Sequence, residues 1–244
     1  HLYPCYNLTQ AFESAWGNFA RSSADTNSDL FVLYLTERED CHFFDQLAGD
    51  PGSLVSSKSF SCEKMEIPEV LHIRRHRGGE MFLVAGRQIK TAERLEILVL
   101  HTREHFSDGL SFPVSLERAL EGEHLVVLNW SLGKWMFSRG KIIEAALGGL
   151  RGGDVEIGDI AGRPLGWGEP RLFELAREKA MTFIAGSDPL PFAGEEKRIS
   201  SYLTRIECEV SREEALGDGW FFRIVLGSPA EKRQFIGRRN TWSE

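Results

Sequence analysis

Short apolar runs that alternate with helical patterns constrain the fold of this chain more than any other feature of its sequence. Leu30 to Leu35 is a continuous apolar run, which is typical of a strand covered on both faces. Similar runs follow at 81–86, 95–100, 124–128, 154–157 and 181–185, and helical patterns separate several of them, near 114–121, 138–148 and 169–180. This alternation predicts a mainly parallel sheet with helices outside it, either a doubly wound open sheet or a closed barrel.

The N-terminal segment is predicted to be helical. Asn7 followed by Gln10 is typical of an N-cap with its reciprocal partner, so a helix is expected to begin near residue 8. Apolar residues then recur at helical spacing and predict a buried face: Leu8, Phe12, Trp16 and Phe19. Segments 53–80 and 201–244 break the alternation, and we interpret both as extra elements on a single domain over residues 1–244. The second contains a strand-like stretch from Tyr202 to Val210 and the tripeptide Trp220-Phe221-Phe222.

Composition excludes several classes of function. The 244 residues include 29 basic and 36 acidic side chains, and the formal charge of -7 argues against broad nucleic-acid binding. No apolar run approaches the roughly 20 residues that cross a bilayer, so no membrane association is expected. Four scattered cysteines favour a reducing compartment, and we expect a cytoplasmic protein. Because the chain begins at His1 and not at methionine, we also expect a preceding strand to be missing.

Polar residues follow each predicted strand, where α/β folds place their active sites. Thr36, Glu37 and Arg38 follow the first run, and Arg87 and Gln88 follow the second. The later runs are followed by Asn129 with Lys134 and Arg139 beyond it, by Asp159 and Arg163, and by Ser187 and Asp188. If the strands are parallel, these side chains converge on one mouth.

In their order along the chain, these motifs resemble those of the PHP (polymerase and histidinol phosphatase) family. That family carries His-x-His, Thr-Asp-His, Gly-x-Glu, His-Pro and Ser-Asp-Ala-His. The corresponding positions here are His1, Thr36-Glu37-Arg38, Gly86-Arg87-Gln88, Asn129-Trp130 and Ser187-Asp188-Pro189-Leu190. The resemblance extends to about residue 190. It implies an α/β fold of the distorted (β/α)7 TIM-like barrel type.

The departures from the family pattern remove metal ligands. Arg38 stands where the family has histidine, and a guanidinium has no lone pair to offer a metal. Gln88 replaces a carboxylate, while Asn129 and Leu190 replace imidazoles. The resemblance therefore implies either no cofactor or one divalent metal (Zn, Mn or Mg) held by His1, Glu37 and Asp188. In place of a metal cluster, Arg38 is expected to pair with Glu37 and Asp188.

The expected function is that of a degenerate phosphoesterase, which binds a phosphorylated or otherwise anionic small molecule with little or no metal-dependent hydrolysis. Its ligand-binding residues would be Arg38, Arg87, Gln88, Asn129, Lys134, Arg139 and Arg163. Solvated loop residues or structural ion pairs are the alternative interpretation of these side chains. Two other functions stay open. One is an active metal-dependent phosphoesterase with Glu37, Asp159 and Asp188 as catalytic carboxylates. The other is a protein-interaction module that uses Trp130, Trp135 and Trp167.

Two further motifs are interpreted as surface features. His101-Thr102-Arg103-Glu104-His105 matches a zinc-protease pattern, but it follows a strand and runs into a turn signal, so a loop is expected. The basic run from His72 to Arg77 ends in two glycines and is expected to form a solvated hairpin tip.

Overall fold

The structure is a computed structural model, and it describes residues 1–26, 28–52, 58–209, 214, 224–225 and 227–240. Eight strands form one sheet: β1 Val32–Glu37, β2 Phe60–Lys64, β3 Val70–Arg75, β4 Glu80–Lys90, β5 Glu96–Leu100, β6 Leu125–Asn129, β7 Glu156–Ile160 and β8 Phe183–Gly186. Their order is β2-β3-β4-β5-β6-β7-β8, and β1 pairs in parallel with β4.

The sheet is mixed and open, so the predicted (β/α)7 TIM-like barrel is wrong. Only β1–β4, β6–β7 and β7–β8 are parallel, and the other pairs from β2 to β6 are antiparallel. The physical reason lies in the connections. Only residues 91–95 join β4 to β5, whereas a parallel crossover needs about a dozen residues or more. The predicted extra segment 53–80 supplies β2 and β3, which extend the sheet as hairpins.

Five α-helices occur in the described residues, which is fewer than a seven-fold barrel requires. They are α1 Leu8–Ser22, α2 Phe43–Gly49, α3 Phe112–Leu120, α4 Phe137–Gly149 and α5 Arg171–Glu178. The N-terminal prediction is confirmed, because the Asn7 side chain accepts a hydrogen bond of 2.9 Å from the Gln10 backbone N–H. Among the described residues, no helix combines the length and the apolar character that a bilayer span requires.

A second, two-stranded antiparallel sheet lies beside β8. It consists of β9 Tyr202–Ile206 and β10 Arg233–Gly237, and 3₁₀ helices at Glu195–Arg198 and Ala230–Lys232 precede the two strands. Thr204 Oγ1 of β9 accepts a hydrogen bond of 2.6 Å from the Ala185 backbone N–H of β8. The predicted strand from Tyr202 thus exists in a shorter form. Trp220-Phe221-Phe222 lies outside the described residues.

The strand β4 contributes to several hydrophobic clusters. Met81 and Leu83 pack in a cluster formed with α1, α2 and β1, while Phe82 and Val84 pack on the other face of the strand. Further along the same strand, Ile89 joins a third cluster beneath α3, α4 and α5. This alternation follows from the period of two in a strand. The central strand therefore lies between packed layers on both sides.

Candidate functional site

A cavity of about 580 Å³ lies beside the sheet, between β1, the strands β5 to β8 and β9. Alternate residues of β5, β6 and β7 line it, as the pleat requires, whereas consecutive residues of β8 and β9 do so. The lining residues of β1, β5 to β8 and β9 are Val32, Leu33, Tyr34, Thr36, Leu98, Leu100, Val127, Asn129, Gly158, Ile160, Ile184, Ala185, Gly186, Tyr202, Leu203, Thr204, Arg205 and Ile206. Most of these side chains are apolar. Polar groups gather at the carboxyl ends of the parallel strands, and we call that end the mouth.

His1 and Asp188 meet at the mouth. His1 Nε2 lies 3.1 Å from Asp188 Oδ1, and His1 Nδ1 bonds to the Thr36 backbone carbonyl. Because a carbonyl oxygen only accepts, Nδ1 carries a proton, and Nε2 facing a carboxylate then carries one as well. Burial lowers the pKa of His1, but the hydrogen bond and charge of Asp188 and the Thr36 carbonyl outweigh burial, so the pKa is raised. The pair is therefore an imidazolium and a carboxylate.

The loop that carries Asp188 is held against the N-terminal segment. Asp188 has a φ of 41°, an unusual value for a residue with a side chain, and Pro189 follows it. Two residues further on, the Tyr6 hydroxyl donates to the Leu190 carbonyl. Residues 1–6 and the loop after β8 therefore close one side of the mouth together.

Three further polar groups complete the mouth. Glu96 begins β5 beside the end of β6, and its carboxylate pairs with the Lys134 ammonium. The Asn129 side chain ends β6 and lines the cavity. Ser200 also lines it, and the Ser200 hydroxyl is buried without a hydrogen-bond partner in the part of the chain that the structure describes.

Glu37 lies on the opposite face of β1 from the mouth, because it is the neighbour of Thr36 on a strand. Its carboxylate accepts from the backbone N–H groups of Phe43 and Phe44 and thus caps α2. Arg87 Nη1 lies 3.6 Å from it, and Arg87 also contacts Asp45 at 3.3 Å. Burial raises the pKa of Glu37 to about 7, against the opposing effect of these hydrogen bonds and of Arg87.

The proposed metal ligands are consequently not brought together. His1 and Asp188 share the mouth, but Glu37 points into the helix layer. Within the described ranges, no three His, Cys, Asp or Glu side chains are grouped so that they could hold a metal ion. This arrangement does not fit the ligand set that the PHP resemblance implies.

The other predicted site residues have partners of their own or lie away from the mouth. Arg163 donates two hydrogen bonds, of 2.7 and 2.6 Å, to the Asp159 carboxylate, and the Tyr202 hydroxyl donates to the same carboxylate at 3.1 Å. The exposed Arg38 pairs with Asp40 at 2.6 Å, so its expected pairing with Glu37 and Asp188 is wrong. Arg139 donates to the Gly133 carbonyl at 2.7 Å. Gln88 is not among the residues that line the cavity, and its Oε1 is buried without a partner in the described chain.

Sequence reasoning missed Tyr34, Glu96, Ser200 and Tyr202 as site residues. A signal was present for Tyr34, which lies two residues before Thr36 and must share its face of the strand. For Ser200 and Tyr202 the sequence held no such signal, because β9 approaches the mouth only through the tertiary fold.

Comparisons with known proteins leave the family open. No family model matches the chain, and no curated protein matches it significantly. Among solved structures, the chain is similar to PsfC from Pseudomonas syringae PB-5123, with 14% sequence identity and a TM-score of 0.51 over 94% of this chain and 82% of that one. A likeness at this identity shows the fold alone. The resemblance to the PHP family stays a prediction.

Proposed function

We propose that the protein binds a small amphipathic anion, with the charged head at the mouth and the apolar body in the cavity. The observation that carries this proposal is the cavity itself, which at about 580 Å³ lies in the size range of small-molecule sites. Its wall is largely apolar, and polar groups gather at the mouth. At the opposite end Arg205 pairs with Asp29 at 3.4 Å, so their charges balance there. The cavity therefore suits a ligand with one charged end and one apolar body.

The anionic character of the head is supported by the donors at the mouth. The His1 imidazolium and the Lys134 ammonium are the cations there, each paired with a carboxylate, of Asp188 and Glu96, and Asn129 and Ser200 supply neutral donors in the cavity wall. Among these donors the Ser200 hydroxyl gives the strongest support, because a buried hydroxyl without a partner costs free energy unless a bound ligand forms a hydrogen bond with it. A carboxylate or a phosphate monoester would both satisfy such donors.

Metal-dependent hydrolysis is not part of the proposal. Of the three predicted catalytic carboxylates, Glu37 caps a helix and Asp159 is paired on both oxygens. Only Asp188 lies at the mouth, where it pairs with His1. A protein-interaction role through the tryptophans gains no support either, since Trp130 and Trp135 are buried core residues.

Calorimetric titration with three eight-carbon probes tests the proposal. Octanoate and octyl phosphate are expected to bind at least about tenfold more tightly than octan-1-ol, because hydrogen bonds to a charged group are the stronger ones. Octanoate is expected to bind most tightly while His1 is protonated, at a pH below the His1 pKa, which lies above 6.5. Its affinity should fall as the pH rises through that pKa. His1→Gln should remove this pH dependence.

A matched pair of variants shows where the probes bind. Gly186 lines the cavity and a Cβ added there meets no atom within 4 Å, so Gly186→Leu adds an apolar side chain at the cavity wall. A Cβ at Gly148 also meets nothing within 4 Å, but Gly148 lies on the exposed surface of α4. We expect Gly186→Leu to weaken octanoate binding at least about tenfold, since the apolar surface of the ligand can no longer be buried, and Gly148→Leu to leave it unchanged. Equal binding by both variants would place the ligand elsewhere, and equal affinity for octan-1-ol would refute the anionic head.

A further inference from the structure

The Tyr34 hydroxyl is a polar group in the apolar part of the cavity wall. Tyr34 lies in β1, lines the cavity, and packs against the cluster of Leu100, Leu125, Val127 and Val225. Its hydroxyl oxygen is buried and has no hydrogen-bond partner in the described part of the chain. Buried polar groups in native proteins are nearly always paired, so an orphan hydroxyl on a residue of the cavity wall indicates a missing partner.

The position of Tyr34 sets a distance from the mouth. Thr36, whose carbonyl contacts His1, is two residues further along β1, and two residues of a strand span about 7 Å. The Tyr34 backbone therefore lies about 7 Å further from the mouth than that of Thr36. Burial raises the pKa of Tyr34 well above its ordinary value, so the group stays protonated and can donate at neutral pH.

We infer that Tyr34 is a specificity-determining residue, and that the ligand carries a carbonyl or similar acceptor part-way along its apolar body. This inference rests on the proposed function and refines its substrate class to oxo-substituted or ester-containing amphipathic anions. The Tyr34 hydroxyl would donate to that acceptor in a site from which water is displaced. A plain alkyl chain would leave the hydroxyl unpaired.

A purely structural role for Tyr34 makes a different prediction. If the ring only fills space, phenylalanine does so equally well and without an orphan hydroxyl. Tyr34→Phe is therefore expected to unfold at the same or a higher urea concentration than the wild type under either view. Only a ligand-binding role makes the same substitution change the selectivity of the cavity.

The experiment compares octanoate with 4-, 5-, 6- and 7-oxo-octanoate by calorimetry. In the wild type, one positional isomer is expected to bind about five to ten times more tightly than octanoate, which is the range for one hydrogen bond formed in a dry site. In Tyr34→Phe this preference is expected to disappear, so that octanoate and its oxo isomers bind alike.

Tyr202→Phe is the matched control. Tyr202 also lines the cavity, but its hydroxyl is committed to Asp159 at 3.1 Å, so its removal should reduce stability and leave the isomer preference intact. If no oxo isomer binds better than octanoate in the wild type, or if the preference survives in Tyr34→Phe, the inference is overturned while the proposed function stands. If neither octanoate nor any oxo isomer binds, the proposed function has failed and the inference falls with it.

Discussion

Glu37 carries a carboxylate that is 2% exposed, and its charge is costly to the fold at neutral pH. Burial raises the pKa of this group to about 7, even though two backbone N–H groups and Arg87 favour the charged form. The folded state therefore binds a proton more tightly than the unfolded state does. The stability that this proton contributes is present below pH 4.5, the ordinary value, and is lost as the pH rises toward 7.

Glu37→Gln is expected to flatten this pH dependence. Glutamine keeps an acceptor oxygen for the N–H groups of Phe43 and Phe44 but never has to be deprotonated in the buried site. The free energy of unfolding of the wild type should fall by at most roughly 3 kcal/mol more than that of the variant between pH 4.5 and 7.5. Urea unfolding at several pH values measures it. The exposed neighbour Glu39 provides the control Glu39→Gln, and a variant with the same pH slope as the wild type would contradict the prediction.

The pleat of a β-strand limited how well the site residues could be predicted from the sequence. The motif Thr36-Glu37-Arg38 was treated as one group of site residues, yet successive side chains of a strand point to opposite faces. The side chains of Thr36 and Glu37 therefore had to face opposite sides of β1, and only the tertiary fold decides which of the two faces the cavity. The position of His1 beside Asp188 agrees with the predicted convergence at the strand ends.

At the scale of elements, a buried ion pair fastens the second sheet to the first. Arg233 of β10 donates to Glu156 of β7 with bonds of 2.7 and 3.1 Å, and both side chains are 3% exposed. Thr182 donates to the same carboxylate at 2.6 Å, and Arg233 also donates to the Ser228 and Phe183 carbonyls. The guanidinium thus bridges β7, β8 and β10.

Arg233→Met is expected to lower the free energy of unfolding by about 3–5 kcal/mol, because it leaves the Glu156 carboxylate buried without its charge partner. The double variant Arg233→Met/Glu156→Met should recover most of that loss, since no uncompensated charge remains. Urea unfolding of the two single variants and the double variant measures the coupling. Additive losses would show that the two side chains act independently.

The sequence located most strands and helices within a few residues, but it gave strand direction poorly. The apolar runs at 81–86 and 95–100 correspond to β4 and β5, and the gap between them was already too short for a parallel crossover. That gap was the overlooked signal. By contrast, the strand β3 was not predicted because its basic residues indicated a solvated tip. The sequence does not reveal that His72 is buried and pairs with Glu80 at 2.8 Å.

At the scale of the whole molecule, the mixed order of strands explains how an open sheet can still form a cavity. The parallel strands β1, β6, β7 and β8 end at the mouth, and β9 covers the space beside β8 and β1. The likeness to PsfC covers 94% of this chain, so it extends over most of the molecule. The prediction of converging strand ends thus remained useful although the predicted barrel was wrong.

The long strand β4 has a thermodynamic consequence. Because its residues belong to clusters on both faces and under both groups of helices, neither half of the molecule can melt without exposing apolar surface that the other half also buries. We expect one all-or-none unfolding transition of the wild type, with the same midpoint by tryptophan fluorescence and by far-UV circular dichroism. Separate midpoints would mean that the parts of the molecule on the two sides of β4 unfold independently. With coincident midpoints, cooperativity in this chain originates in a single shared strand.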